Sequence, residues 1–279
     1  MPVPGPIAIL PAPRPPFTNA VEAGGGVVAP LSGQTRGLIW LGGPAAELSA
    51  ALTEHAGIGW VQLPLAGVEN YAEAFAEHPE IIWTSAKGSF AEPVAEHALA
   101  LTLAALRQLP EKSRSSSWAM HRQGISLYGR HVVIVGAGGI AVELLRLLAP
   151  FDVTVTVVRR SIDPLDGADR TVTVDHLLDV LPAADVVILA AAATDDTAQL
   201  IGARELAAMK PQAVLVNIAR GRLVDTAALV EALEAGHLWG AGLDVTAPEP
   251  LPDGHPLWSA PRTVITSHAA DTDEMVEPL

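Results

Sequence analysis

Short apolar runs alternate with helix-like stretches along the first third of the chain. The candidate strands are residues 7–10, 38–40, 60–63 and 81–83, and the candidate helices are residues 44–55 and 68–76. Brief apolar runs separated by amphipathic or turn-rich sequence are the pattern of strands and helices in alternation. The pattern predicts a small α/β domain in this part of the chain.

The alternation is stronger in the rest of the chain. A long Ala- and Leu-rich candidate helix at 92–109 comes first, and the candidate strands that follow are residues 132–135, 153–158, 185–190 and 213–218. Apolar runs of this kind are typical of strands buried on both faces of a parallel sheet. Asp225 is a candidate N-cap and Gly236 a candidate C-terminal glycine, which together predict a helix between them. We therefore expect two domains, with a boundary near residue 86.

Composition narrows the classes of function. The chain has 279 residues, enough for two domains with a cleft between them, and 49% of them are apolar. A formal net charge of −14 disfavours nucleic acid and anionic membranes as partners. No apolar stretch is long enough to cross a bilayer, and the first ten residues lack a basic region, so a cytoplasmic location is expected. The sequence contains no cysteine and its histidines show no metal-ligand spacing, so no metal site is predicted.

The sequence VVIVGAGGIA predicts a dinucleotide-binding turn. It places Gly136-x-Gly138-x-x-Ala141 between an apolar strand and an apolar helix, which is the context that this fingerprint requires. Gly136 allows the tight turn, and Gly138 lets the backbone approach a pyrophosphate. Gly139 and Ile140 begin the helix, where free N–H groups bind anions.

Two arginines stand where many NAD-binding proteins have an acidic residue. About 20 residues after the glycines, the position that usually accepts a hydrogen bond from the ribose 2′-OH is occupied by Arg159, Arg160 and Ser161. Guanidinium groups there would pair with a 2′-phosphate. The sequence therefore predicts NADP as the preferred cofactor, with NAD as a second one. The alternative interpretation is a pair of solvated arginines at a strand end.

Three further charged residues lie at or just after apolar runs: Arg220 in VNIARGRLVD, Glu249 in LDVTAPEPLP and His268 in VITSHAA. The carboxyl ends of strands are where parallel α/β sheets place their ligand-contacting groups. An arginine suits a planar carboxylate, and a histidine titrates near neutrality and suits proton transfer. Taken singly, a residue of each type is more often a surface charge or a structural side chain than a functional group.

Long blocks of sequence resemble the D-isomer-specific 2-hydroxyacid dehydrogenases, and among them most of all the glyoxylate/hydroxypyruvate reductases. The resemblance covers nearly the whole chain. Besides the glycine turn, the blocks are WVQLPLAGVENY at 60–71, SAKGSFAEPVAEHALAL at 85–101, AATDDTAQLIGARELAAMKPQAVLVNIARGRLVD at 192–225, and ALEAGHLWGAGLDVTAPEPLP through TSHAA.

The resemblance implies an α/β fold with two doubly wound parallel-sheet domains and a cleft between them. A flavodoxin-like substrate domain is expected at residues 1–86 and a Rossmann NAD(P)-binding domain at 87–268. Residues 269–279 would begin a return to the substrate domain, and the rest of that return segment is expected to be missing. The resemblance also implies a homodimer formed through the cofactor domain.

The same resemblance assigns roles to individual residues. Arg220 would bind the carboxylate and carbonyl of the substrate, His268 would act as the acid/base, and Glu249 would pair with His268. Asp244 would hold the nicotinamide carboxamide. Further implied contacts are Ala191, Ala192, Ile218 and Ala219 for the cofactor, and Ala66 and Gly67 for the substrate carboxylate.

The resulting expectation is an NADPH-preferring oxidoreductase that reduces a small 2-oxo acid, of the glyoxylate or hydroxypyruvate type, to the D-2-hydroxy acid. Hydride would be transferred to the carbonyl carbon while His268 protonates the nascent alkoxide. Formate oxidation is disfavoured because related formate enzymes have Gln in place of Glu249. Phosphoglycerate oxidation usually uses NAD and often an additional regulatory domain. An NAD(P)-sensing protein without significant turnover is the alternative from a different class.

Overall fold

The computed structural model describes residues 3–118, 123–272 and 275. The chain folds into two compact units, one running to Phe90 and the other starting at Ala91. The division thus falls at the start of the long helix, a few residues after the boundary expected from the sequence. Most of the segment expected to return to the first domain, residues 273, 274 and 276–279, lies outside the described part of the chain. The roles of the two domains therefore stay predictions.

In its described residues the first unit contains a parallel sheet. Its strands are β1 (Ile7–Leu10), β2 (Gly37–Trp40), β3 (Trp60–Gln62) and β4 (Ile82–Thr84), and its helices are α1 (Pro15–Ala23), α2 (Ala45–Glu54) and α3 (Ala72–Glu77). The strands pair in the order β1-β2-β3-β4. Ile7 also forms a parallel bridge with Val28 on the opposite edge of β1. The segment around Val28 therefore lies on one side of β1, and β2 lies on the other. A chain that goes first to one side of its first strand and then to the other has the strand order of a flavodoxin-like sheet.

The second unit contains a larger parallel sheet. Its strands are β5 (His131–Val135), β6 (Thr154–Arg159), β7 (Arg170–Thr173), β8 (Val186–Leu189), β9 (Val214–Asn217), β10 (Gly240–Leu243) and β11 (Thr263–Ile265). Its helices are α4 (Ala91–Arg107), α5 (Leu109–Ser113), α6 (Gly139–Leu148), α7 (Leu177–Val180), α8 (Ala203–Ala208) and α9 (Thr226–Glu234). The central strands are buried on both faces, as their uninterrupted apolar sequence predicts.

The strand order creates a position for ligands in the second unit. In the described chain the sheet has seven strands in the order β11-β10-β9-β8-β5-β6-β7, all parallel. The chain runs outward from β5 to β7 and then returns to β8 on the other side of β5. Open α/β sheets bind ligands at the carboxyl ends of the strands where the order reverses. The predicted fold class, α/β with two parallel sheets, is confirmed.

Three strands and one helix break were not predicted. β7, β10 and β11 are short, and β10 has the sequence GAGL, which by composition is typical of a loop. Gly242 serves packing instead, because a Cβ on it would lie 2.8 Å from the Leu101 Cβ of α4. The predicted helix 92–109 is interrupted at Gln108, whose φ of 53° ends α4. Within the described ranges, none of the helices has the length and apolar character needed to cross a bilayer.

Candidate active site

The site residues predicted in the second unit lie in the segments that follow its strands. Because the strands are parallel, their carboxyl ends meet at one edge of the sheet. The segments after β5, β6, β8, β9, β10 and β11 carry, in that order, Gly136, Arg160, Ala191, Arg220, Glu249 and His268. Candidate groups for binding and for proton transfer therefore share this edge.

The turn between β5 and α6 leaves room for a phosphate group. Gly136 has a φ of 121°, and a Cβ on it would lie 2.4 Å from the Ala190 carbonyl oxygen. Gly138 precedes the first residue of α6, and a Cβ on it would meet nothing within 4 Å. The N–H groups that open a helix have no acceptor within it and attract anions, which here places Gly139 and Ile140 at such a position. The cradle fits the pyrophosphate of a dinucleotide.

The arginine pair lies at the end of β6, beside a carboxylate that the sequence interpretation had not considered. Arg159 is the last residue of β6 and donates from Nη1 to the Asp163 carbonyl oxygen at 3.3 Å. The Ser161 hydroxyl donates to the Asp163 carboxylate, while Arg160 is exposed. Groups that would favour a 2′-phosphate and a group that would favour a 2′-hydroxyl therefore occupy the same short loop.

A buried asparagine shapes the turn that carries Arg220. Asn217, the last residue of β9, is 1% exposed. Its Oδ1 accepts from the Ala219 N–H at 3.0 Å, and its Nδ2 donates to the Arg220 carbonyl oxygen at 2.9 Å. Arg220 is half-buried and donates from Nη1 to the Ala219 carbonyl oxygen at 2.7 Å. The backbone on either side of Ala219 is thus held by one side chain.

Gly221 brings this turn against the segment that leads to Glu249. A Cβ on Gly221 would lie 1.9 Å from the carbonyl oxygen of Thr246, so only glycine allows the two backbones to approach this closely. The Thr226 hydroxyl also donates to the Ala247 carbonyl oxygen at 2.7 Å. The segments after β9 and β10 are therefore packed as one assembly.

Glu249 and His268 form a direct pair. His268 Nδ1 lies 2.6 Å from Glu249 Oε1, and the two side chains are 47% and 40% exposed. His268 has a φ of 51°, a left-handed conformation that costs a non-glycine residue about 1–3 kcal/mol. The backbone N–H of His268 donates to the Asp244 carbonyl oxygen at 2.8 Å. Among the described contacts His268 uses only Nδ1 of its ring, and an imidazole oriented in this way by a carboxylate is suited to proton transfer.

The Asp244 carboxylate stabilises the turn that contains His268. Its Oδ1 accepts from the Ala269 N–H at 2.8 Å and its Oδ2 from the Ala270 N–H at 3.2 Å. Burial raises the pKa of Asp244, but hydrogen bonds from His97, Thr266 and Ala269 outweigh it and hold the pKa below its ordinary value. Asp244 is therefore ionised at neutral pH, although it is only 2% exposed.

The structure brings together part of the predicted site. Glu249 and His268 are in contact, Asp244 holds the neighbouring turn, and Arg220 reaches the same edge through Gly221. The backbone nitrogen of Ala191 lies beside Gly136, since a Cβ on Gly136 would come within 2.9 Å of it. Ala192 follows β8, and Ile218 and Ala219 follow β9, as expected. Ala66 and Gly67 lie in the first unit, after β3, and their role in substrate binding stays a prediction.

Sequence reasoning missed Asn217, Gly221 and Thr266, and it did not find that His97 contacts Thr266. A polar residue at the end of the apolar run VLVN was a usable signal for Asn217. The contact of His97 with Thr266 could not be found in this way, because the two residues lie 169 positions apart.

The fold and site define an α/β protein whose second unit carries a glycine turn and a histidine–glutamate pair at one edge of its parallel sheet. Residues 98–270, more than half of the chain, match the family described as D-isomer specific 2-hydroxyacid dehydrogenase, NAD binding domain. The chain belongs to the D-isomer-specific 2-hydroxyacid dehydrogenase family, whose members are NAD(P)-dependent oxidoreductases.

Individual relatives carry different names. An uncharacterised protein of Corynebacterium melassecola is 39% identical over 94% of this chain and 87% of its own length. D-3-phosphoglycerate dehydrogenase of Mycobacterium bovis is 36% identical over 72% of this chain but only 39% of its own length. Glyoxylate reductase of Pyrococcus furiosus is 35% identical over 72% of this chain and 63% of its own length.

A solved structure is similar over almost the whole chain. The NADPH-dependent glyoxylate/hydroxypyruvate reductase of Sinorhizobium meliloti, in complex with NADP and malonate, aligns with a TM-score of 0.76 and 26% identity. The alignment covers 99% of this chain and 89% of that protein.

Proposed function

We propose that this protein is an NADPH-preferring reductase that converts a small 2-oxo acid, of the glyoxylate or hydroxypyruvate type, into the D-2-hydroxy acid. The observation that carries the proposal is the 2.6 Å contact of His268 Nδ1 with Glu249 Oε1, at the edge that also carries the glycine turn. The family and the printed activities of the reductase relatives support the same class of reaction.

The residues of the cofactor edge fit a nicotinamide dinucleotide. When bound, the reduced cofactor supplies the hydride that the substrate carbonyl carbon accepts. Gly136 lets the turn pack closely on Ala190, Gly138 leaves open space for the pyrophosphate, and the N–H groups at the start of α6 would bind it. Among the described contacts, Asp244 Oδ2 accepts one hydrogen bond, from Ala270, so it keeps acceptor capacity for a carboxamide N–H.

His268 would carry the proton. Because Glu249 accepts from Nδ1, the proton that is transferred is the one on Nε2. The imidazolium would donate this proton to the substrate oxygen as negative charge develops there, and the Glu249 carboxylate stabilises the charged ring beforehand. In the oxidative direction, neutral His268 would accept the hydroxyl proton at Nε2.

Arg220 would bind the substrate carboxylate. Its guanidinium is planar and matches a carboxylate through two parallel hydrogen bonds, and its charge also offsets negative charge on the reacting oxygen. Asn217 and Gly221 fix the backbone on both sides of Arg220, which limits the positions open to the side chain. A small anionic substrate suits this group.

Replacing His268 by alanine tests the acid/base role. Turnover of glyoxylate or hydroxypyruvate, followed at 340 nm, should fall by about 10²–10⁴-fold, with a smaller change in NADPH affinity. The matched control is His176→Ala, because His176 Nδ1 forms a similar 2.8 Å pair with Asp179 but follows the edge strand β7. Near-wild-type turnover of His268→Ala, or an equal loss in the control, would discard the role.

Cofactor preference depends on the loop after β6. Arg160→Ala should lower the NADPH:NADH ratio of kcat/KM by about tenfold or more, since a charged phosphate contact is lost. Asp163→Asn should raise the same ratio, because it removes a carboxylate that would repel the 2′-phosphate. The control is Arg170→Ala, because Arg170 is the first residue of β7 and lies at the amino end of that strand, away from the loop after β6. A wild-type kcat/KM with NADH equal to or higher than that with NADPH would overturn the preference.

A substrate panel separates the remaining activities. It contains glyoxylate, hydroxypyruvate, 3-phosphohydroxypyruvate and formate, each with both cofactors in the appropriate redox state. Highest kcat/KM with the phosphorylated substrate would favour the activity named for the mycobacterial relative. Tight NADPH binding without turnover of any substrate would favour a cofactor-sensing protein instead.

We also propose a homodimer formed through the second unit, in a cytoplasmic protein. Between α5 and β5 the described residues include Trp118, which is 95% exposed, and Tyr128, which is 64% exposed. Aromatic residues are enriched in protein–protein interfaces, which supports this proposal. Light scattering should give about twice the chain mass of 29.0 kDa. Trp118→Ser should shift the protein towards monomer, whereas Trp258→Ser, at a residue 50% exposed, should not.

A further inference from the structure

We infer that His97 of α4 is a positioning residue for His268, because it holds the two side chains, Thr266 and Asp244, that fix the turn carrying His268. The inference rests on the proposed function for its kinetic readout only. Its structural readout is independent of any substrate.

The contacts form a short chain of hydrogen bonds in the second unit. His97 Nε2 lies 2.9 Å from Thr266 Oγ1 and 3.3 Å from Asp244 Oδ1. Thr266 Oγ1 in turn lies 2.5 Å from the same carboxylate oxygen. The side chains of His97 and Asp244 are only 21% and 1% exposed, so water competes little with these bonds.

The direction of the protons follows from the charge of Asp244. An ionised carboxylate only accepts, so the single hydroxyl proton of Thr266 goes to Asp244. Thr266 Oγ1 must then accept from its other neighbour, and His97 must carry a proton on Nε2. His97 is therefore a donor in this chain, a role that an amide N–H can also fill.

These hydrogen bonds hold the backbone on both sides of His268. Thr266 precedes His268 by two residues, and the Asp244 carboxylate binds the N–H groups of Ala269 and Ala270, which follow it. These bonds hold His268 in its left-handed conformation, in which Nδ1 meets Glu249. Loss of the His97 donor leaves the half-buried Thr266 Oγ1 without this hydrogen bond and loosens the group that fixes this conformation.

Helix α4 offers a firm support for His97. Buried residues of this helix include Val94, Ala98 and Leu101, and Leu101 packs directly over Gly242 of β10. The Trp239 indole N–H, just before β10, donates to the Ala105 carbonyl oxygen at 3.2 Å. The position of His97 relative to β10 is therefore set by packing over several turns of the helix.

Four variants separate positioning from general destabilisation. His97→Leu removes the donor, and His97→Gln restores an N–H at the place of Nε2. His97→Asn keeps a polar side chain that is too short to reach Thr266. The matched control is His131→Leu, because His131 Nε2 makes a similar 2.8 Å contact with the hydroxyl of a buried threonine, Thr156, at the opposite end of the strands.

The first readout is the imidazole N–H resonance of His268 in ¹⁵N-histidine-labelled protein, assigned by its loss in His268→Ala. In the wild type this proton lies in the bond to Glu249 and should exchange slowly with water. In His97→Leu and His97→Asn it should broaden or disappear, and in His97→Gln and His131→Leu it should persist. His97→Asn keeps the experiment informative if the leucine variant fails to fold.

The second readout is steady-state reduction of glyoxylate with NADPH. His97→Leu and His97→Asn should lower kcat by roughly 10- to 100-fold, because a misplaced acid/base slows proton transfer. The KM for glyoxylate should change less than twofold, since Arg220 lies on a different turn, and His97→Gln should recover most of kcat. An unchanged resonance and kcat in the leucine and asparagine variants, or equal losses in His131→Leu, would overturn the inference. If no 2-oxo acid is turned over, the proposed function fails, while the resonance still decides whether His97 positions His268.

Discussion

Replacing Gly221 by alanine should impair catalysis more than cofactor binding. A Cβ at this position would lie 1.9 Å from the carbonyl oxygen and 2.0 Å from the carbonyl carbon of Thr246. Both are backbone atoms, so no side-chain rotation relieves the overlap. Ordinary van der Waals contact begins near 3.4 Å, so the two segments would have to separate by roughly 1.5 Å.

The expected loss follows from that displacement. The segments that would separate carry Arg220 on one side and Glu249 on the other. A misplacement of about 1 Å can cost about 10²-fold in rate, which corresponds to about 2.7 kcal/mol in the barrier. Overpacking should also lower the free energy of unfolding by about 1–3 kcal/mol. NADPH affinity should change little, because the glycine turn belongs to β5 and α6.

The assay combines three measurements on the same variant. kcat/KM is measured at 340 nm with the best 2-oxo acid of the panel, NADPH binding by fluorescence titration, and stability by thermal unfolding. Gly202→Ala is the control, because a Cβ there would lie 3.4 Å from Glu205 Oε2, an ordinary contact. Wild-type kcat/KM and stability in Gly221→Ala, or an equal loss of both in Gly202→Ala, would contradict this prediction.

Two further predictions concern the same sheet. Burial raises the pKa of Asp185, but the His131 N–H and the cations of Lys210 and Arg130 outweigh it and hold the pKa below its ordinary value. Such a group contributes stability above about pH 4 and loses that contribution as pH falls through the depressed pKa. Asp185→Asn should therefore lower the free energy of unfolding, measured with urea, by about 1–3 kcal/mol at pH 7 and by less towards pH 3. Gly136→Ala would place a Cβ 2.4 Å from the Ala190 carbonyl oxygen, so it should weaken NADPH binding by titration at least tenfold; unchanged affinity would show that the turn does not hold the cofactor.

The glycine turn and the central strands could be predicted because their signals are local. A strand, a GxGxxA sequence and a helix follow one another within twenty residues, and the apolar runs of β5, β8 and β9 mark strands buried on both faces. The fold class followed from the same alternation.

Other parts depend on contacts that one segment cannot reveal. The sequence GAGL of β10 resembles a loop until α4 is packed against it, since the glycines are explained by Leu101 and Arg262 rather than by a turn. His97 had no recognisable partner because Thr266 is far away in sequence. Asp163 is different, because it lies only two residues after Ser161, and its place beside the arginines could have been predicted from the sequence.

The loop after β6 is separate from the segments that carry Glu249 and His268. It follows a strand on the far side of β5, and its charged residues Arg160 and Asp163 are exposed rather than built into the core. Substitutions there need not disturb the packing that fixes Arg220 and Glu249. Within the proposed function, the electron donor could therefore change during evolution or by engineering while the proton-transfer apparatus stays the same.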